Sequence, residues 1–320
     1  MLRRAAALVL ILLLTGCRRG DERAPFTDSR LPPGLAQSGW PPAGWAWGLI
    51  QIRHDPPQRY GVAPASDIAR AQVLILPGYG GVAEESFAAA NDFTVRGYVV
   101  WALEGQGQGG SGRYVTPRDL GYVRGFDGDV GSIRQMVATA TAPTPAEPLV
   151  VIADGTAAPV ALGAAQEGLP GVAGLILTDP RFWPPGPPVD PGKARWMTRL
   201  GFGAARAPGQ APWRRDGVDR DTVRHAWQTA NPDLRMGGPS YAWIAAFDDL
   251  VGQLQSGDWR RITLPILILE TGRPDPAAER FCRLMPNCRI EPTTDVYAAE
   301  VAAIEARLPA TSLFNPSLGR

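Results

Sequence analysis

Histidine is nearly absent: the 320 residues contain two, His54 and His225. Any mechanism that needs an imidazole base must recruit one of them, and both lie outside the apolar runs expected to form the core. Lysine is scarcer, with Lys193 alone among 32 basic residues. A Ser–Lys dyad would therefore have to use a residue in a Pro- and Gly-rich stretch. An excess of one charge is missing too: the net charge of +1 gives no footprint for nucleic acid or another polyanion. The apolar run Ala5–Leu14 is too short to cross a bilayer comfortably. Cysteine is limited to Cys17, Cys282 and Cys288.

What is present is an ordinary globular composition, 45% hydrophobic and 20% charged, which excludes wholesale disorder. The start, MLRRAAALVLILLLTGCRRG, divides into a basic end, a short apolar run and a small-residue pair before Cys17. These are the parts of an export signal. Leu14-Thr15-Gly16-Cys17 resembles the bacterial lipobox, which implies lipidation of Cys17 and a mature chain beginning there. The expected location is the bacterial cell envelope, lipid-anchored and facing the periplasm. Arg18 in place of an inner-membrane retention aspartate favours the outer membrane. In an oxidising periplasm Cys282 and Cys288 are close enough in sequence for a small disulfide, or they pack as two separate thiols.

Beyond a Pro-rich lead-in, continuous apolar runs at 72–76, 98–103, 149–153, 173–178, 265–269 and 288–292 predict strands buried on both faces. Helical patterns fall between them near 84–96, 119–141, 156–167, 276–285 and 296–308. This alternation predicts a doubly wound, mainly parallel α/β sheet. The interval 179–261 lacks a strong strand and predicts a helical cap over the C-terminal sheet edge, where open α/β sheets bind ligands. The expected division is a signal peptide (1–16), a tether (17–45), a core (46–178 and 262–320) and the cap.

QRYGVAP, VLILPGYGG, RGYVVWALEGQGQGGSGR and NPDLRMGGPSYAW resemble the bacterial lysophospholipase, monoglyceride lipase and serine aminopeptidase group of α/β-hydrolases. The resemblance runs from about Tyr60 onward and is most specific over 97–113. It implies an α/β-hydrolase fold with a helical cap and acyl-ester hydrolysis by a Ser-Asp-His triad. The nucleophile elbow, G-x-S-x-G, falls on Ala153-Asp154-Gly155-Thr156-Ala157. Gly155 occupies the serine position and has no side chain with which to attack. Asp275 is the nearest match for the acid, and Asp295 stands at the histidine position, five residues before Glu300. An ordinary aspartate is a poor base toward an alcohol.

Thr156, one residue past the elbow, is expected to turn into the helix start as a local cap, and Ser111 belongs to a structural turn. Neither has a histidine partner in view. Backbone donors survive the loss of side chains, so the amides of Tyr79 and Thr156 are the expected oxyanion donors. Trp227, Trp243 and Phe247 are expected either to line a capped pocket or to form the cap's own core. Glu104, Asp154, Asp179, Asp275 and Asp295 share one sheet edge, yet loops of this kind are often acidic, so neither a metal nor a cofactor is expected. Two lost triad positions predict a non-catalytic member that binds a lipid, an acyl compound or a partner's apolar segment. The alternatives are a carboxylic ester hydrolase with rearranged residues and an envelope scaffold.

Overall fold

The computed structural model describes residues 22–217, 222–272 and 275–307. Cys17 and the signal segment lie outside the described residues. Among the described residues eight strands form one sheet: β1 (Ala46–Ile50), β2 (Gln58–Ala63), β3 (Ala71–Leu76), β4 (Tyr98–Leu103), β5 (Leu149–Asp154), β6 (Val172–Thr178), β7 (Ile266–Glu270) and β8 (Cys288–Pro292). Their spatial order is β1-β2-β4-β3-β5-β6-β7-β8. β1 and β2 pair antiparallel and β2 lies antiparallel to β4, while β3 to β8 are mutually parallel. The continuous apolar runs become the central strands, with every residue of β3 and β7 buried.

β1 and β2 were not anticipated. Each carries a glycine, Gly48 or Gly61, over which Tyr60 or Trp45 packs closely, so neither presents a continuous apolar run. The helices are α1 (Phe87–Val95), α2 (Asp127–Met136), α3 (Ala157–Glu167), α4 (Pro191–Met197), α5 (Val223–Ala230), α6 (Tyr241–Ser256), α7 (Pro276–Leu284) and α8 (Val296–Glu305). The expected helix over 119–141 begins only at Asp127. Gly121 and Gly125 leave the preceding stretch as loop, and the Gly121–Pro239 bridge ties that loop to the insertion.

The insertion between β6 and β7 is not all cap. α6 buries Phe247, Leu250, Val251 and Leu254 in the same core cluster as Val130 of α2 and Leu162 of α3. It is a layer of the core, placed there by the apolar face of a 16-residue helix.

The lead-in differs from the expected tether as well. From Glu22 onward it is fastened to the body of the protein. Arg118 Nη1 donates to the carbonyls of Glu22 (2.9 Å) and Ala24 (2.6 Å), and the Phe26 amide donates to Gly110 (2.7 Å). The Ser29 hydroxyl reaches Glu84, which meets the wholly buried Arg59 at 2.8 Å. Arg59 also meets Glu104 at 2.6 Å. Burial works against its charge, but Glu104 and Glu84 outweigh that effect and hold the guanidinium protonated.

Candidate functional site

β5 ends in Asp154 and the chain turns sharply into α3. Gly155 makes the turn at φ +50°, a left-handed backbone that costs an L side chain but not glycine. Its amide donates to Thr178 O (2.9 Å), and its carbonyl accepts from Arg181 (3.0 Å) and Ala158 (3.2 Å). A Cβ built at Gly155 meets nothing within 4 Å. The turn thus keeps the backbone of an elbow, with clear space where a nucleophile would stand.

The loop after β3 crosses directly over it. A Cβ at Gly78 would lie 2.7 Å from the Asp154 carbonyl oxygen, so only glycine permits this approach. The crossing brings the Tyr79 amide to the elbow, where it donates to Thr156 Oγ1 at 2.7 Å. This corrects the expected role of Thr156, whose hydroxyl makes no cap bond to α3. It occupies one of the two expected oxyanion donors instead. The Tyr79 hydroxyl donates to Gly237 O (2.9 Å) and its ring meets Trp243 edge-on, which fixes the loop from the other end.

Thr156 lines two cavities. On the α2–α6 side, a chamber of about 40 Å³ is walled by Leu103, Phe126, Ile133, Val160 and Trp243. That volume suits one or two waters rather than an acyl chain. On the α1–α8 side lies a cleft of about 650 Å³ containing Gly155, Asp154, Glu300, Glu85 and Arg224. Ala89, Phe93, Val223 and Val296 give it apolar walls.

The cleft floor is acidic and connected. Asp154 pairs with Thr178 across β5 and β6, and Thr178 Oγ1 donates to Glu300 Oε1 at 2.9 Å. Burial pushes the Asp154 carboxyl up to about 7, with Glu85 and Asp179 adding to the shift and Arg224 opposing it. Burial also pushes Glu300 up to about 8, and the neighbouring Asp154 charge contributes. At the rim Arg224 clamps Glu85 through two bonds of 2.6 and 3.0 Å. Near neutral pH the floor therefore holds carboxyl protons that a ligand oxygen can accept.

Asp275 and Asp295 are not assembled into a triad. Asp275 caps α7 by accepting from Ala277 (2.8 Å), and its own amide donates to Glu270 (2.9 Å). Asp295 is exposed and caps α8 through Ala298 (3.0 Å). Neither histidine lines the cleft. His54 is exposed; His225 is buried, lies stacked on Trp213 and contacts Arg215 O at 2.9 Å. The Ser111 hydroxyl is buried and accepts the Arg59 amide (2.9 Å).

The three aromatic candidates separate. Trp243 lines the small chamber, and Phe247 stacks behind it at 4.9 Å. Trp227 packs against Phe87 in a satellite cluster and lines neither cavity. Of the acidic residues of the sheet edge, Asp154 and Asp179 share the cleft and the others are dispersed. Glu104 holds Arg59, and Asp179 binds the Thr271 amide and hydroxyl (2.8 Å each). Among the described residues no three His, Cys, Asp or Glu side chains gather to hold a metal. Cys282 and Cys288 form a disulfide, with Cα atoms 5.3 Å apart. Glu300 and the Glu85–Arg224 clamp went unrecognised as parts of one cleft. Glu300 was visible only as a motif position, and only the fold brings Thr178 between it and Asp154.

An eight-stranded, mainly parallel sheet with an elbow between β5 and α3, crossed by a glycine-bearing loop after β3, defines the α/β-hydrolase fold. The chain belongs to the family described as Serine aminopeptidase, S33 (Hydrolase_4), whose model matches residues 67–279. No curated protein matches it in sequence. Its fold is similar to a soluble variant of monoglyceride lipase from Saccharomyces cerevisiae solved with a substrate analog. The TM-score is 0.61 at 15% identity, covering 90% of this chain and 99% of that one. It is also similar to the monoacylglycerol lipase of Paleococcus ferrophilus, with TM-score 0.60, 14% identity and coverage of 77% and 98%. A thermostable carboxyl esterase from Bacillus coagulans, in complex with glycerol, gives TM-score 0.60, 12% identity and coverage of 82% and 99%.

Proposed function

We propose that this chain is a lipid-anchored envelope protein that uses the hydrolase cleft to bind an acyl compound and does not cleave it by triad chemistry. The observation that carries the reading is the elbow itself. Gly155 turns the chain as a nucleophile would, with clear space above it and no histidine lining the cleft. The coupled loss matters, because triad members act as a unit and a lone survivor contributes little. Thr156 adds to this by occupying the Tyr79 amide that would otherwise face a developing oxyanion.

The cleft favours an uncharged acyl ligand. Asp154 and Glu300 disfavour a free carboxylate at the floor, while their protonated forms can donate to an ester or alcohol oxygen. The apolar walls suit an alkyl portion. An open cleft of about 650 Å³ also favours a binding role over a surface-only scaffold. Titration of delipidated protein with a long-chain monoacylglycerol and with the matching free fatty acid tests the reading. Saturable binding of the monoacylglycerol, weaker binding of the acid and no release of acid over hours are expected. Absence of binding, or steady acid release, would overturn it.

A further inference from the structure

The segment after the proline-rich stretch presents a face that the fold does not cover. α4 turns Ala194 inward, wholly buried, and is pinned to α6 by Arg195, which meets Asp248 at 2.6 Å and Asp249 at 3.1 Å. Outward it and the following turn expose Trp196 by 58%, Leu200 by 52% and Phe202 by 54%. Lys193 and Arg199 are exposed beside them. Scattered exposed apolar residues are ordinary, whereas three large ones on one short segment are not. Lys193 and Trp196 fall at i and i+3 on α4, and Leu200 and Phe202 stand on the kinked π-helical turn Thr198–Phe202 that continues it. A tryptophan and aliphatic face bordered by cations is the pattern of a segment lying in a bilayer interface.

The entry point of the chain lies beside the same region. Glu22 and Ala24 are held by Arg118. The adjoining Asp119 accepts from Arg206 at 3.0 Å, and Arg206 follows Phe202 by four residues. Glu22 follows Cys17 by five residue steps, which at full extension is about 17 Å. Acyl chains on Cys17 would therefore bring the bilayer close to Arg118 and to the adjoining Arg206–Asp119 pair.

We infer that the outer face of residues 193–202 docks on an anionic lipid bilayer and, together with the anchor at Cys17, fixes the protein's orientation on the membrane. The inference rests on the anchored reading above for its geometry. The apolar face supplies burial in the acyl boundary, and Lys193 and Arg199 supply attraction to anionic headgroups. A cap edge held on the membrane would also deliver membrane-borne acyl compounds to the cleft without release into water.

The full chain carrying L200C, F202C or I68C, each spin-labelled, is reconstituted in vesicles of phosphatidylcholine and phosphatidylglycerol. Acylation of Cys17 is read separately by mass spectrometry. Ile68, 83% exposed in the β2–β3 connection, is the control. The ratio of oxygen to nickel-chelate collisions should rise severalfold at 200 and 202 and stay at its aqueous value at 68. Aqueous values at all three positions in an acylated chain would overturn the docking face and leave the anchor standing. Lipid contact at 200 and 202 in a chain without acylation would sustain the face and defeat the anchor. Spin–spin broadening at 202 without vesicles would assign the face to a second copy of the chain and overturn the inference.

Discussion

Restoring a side chain at the elbow separates what the backbone has kept from what the chemistry has lost. In Gly155→Ser the new Cβ meets no atom within 4 Å, so steric conflict contributes nothing. The cost is conformational: φ is +50°, and an L residue held there is penalised by about 1–2 kcal/mol. For a chain of this size that corresponds to a melting temperature lower by a few degrees. The variant should fold and lose only this much in thermal unfolding. It should stay unreactive toward a fluorophosphonate probe, since no histidine lines the cleft to take the hydroxyl proton. Adding Asp295→His removes the cap on Ala298, for about 1 kcal/mol more, and returns an imidazole to the loop before α8. Any labelling should be confined to the double variant, which still lacks an assembled acid and keeps the Tyr79 amide bonded to Thr156. Equal labelling of the single variant would refute the reasoning, because some other group would then be serving as base. Loss of the fold in the single variant would refute it as well, because the turn would not be a preserved elbow.

The acidic floor predicts a pH dependence. Asp154 and Glu300 titrate near 4 in the unfolded chain but at about 7 and about 8 in the fold. The stability linked to their protonation is fully present below about pH 4 and is lost as pH rises through 7 and 8. Asp154→Asn should therefore gain stability relative to the parent between about pH 5 and 9, on the order of a few kcal/mol, in urea unfolding at each pH; a constant difference would show that the floor is solvated. Arg59→Ala leaves the buried Glu84 and Glu104 without their cation, and unfolding titrations should show a loss of about 3–5 kcal/mol. A loss under about 1 kcal/mol would mean that water enters the cluster. Opening the Cys282–Cys288 bridge, which spans a sequence separation of six, should cost about 2 kcal/mol from loop entropy, read as the difference in denaturant midpoint between oxidised and reduced protein.

The parallel half of the sheet was legible because burial on both faces writes a continuous apolar run, as in QVLIL and LVVIA. β1 and β2 were not, since an edge pair with Gly48 and Gly61 beneath aromatic rings shows neither a run nor clean alternation. The elbow was legible from small residues between a strand and a helix, and Gly155 kept both the turn and the positive φ. Thr156 was misread because its partner, the Tyr79 amide, lies 77 residues away in sequence; local rules offer only the helix start. α6 was placed in the cap because its position between β6 and β7 outweighed its apolar face, yet that face is what binds it to α3. The lead-in was read as tether from its prolines, while the contacts that hold it come from Arg118, Gly110 and Glu84 far along the chain.

The central claim is that the elbow survives without its chemistry. Incubating the purified wild-type protein with a fluorophosphonate probe, followed by peptide mass spectrometry, tests it most directly. The account predicts no modified serine or threonine, with Thr156 still bonded to Tyr79 and Ser111 buried against Arg59. A stoichiometric adduct on either residue, or on any other hydroxyl lining the cleft, would contradict it.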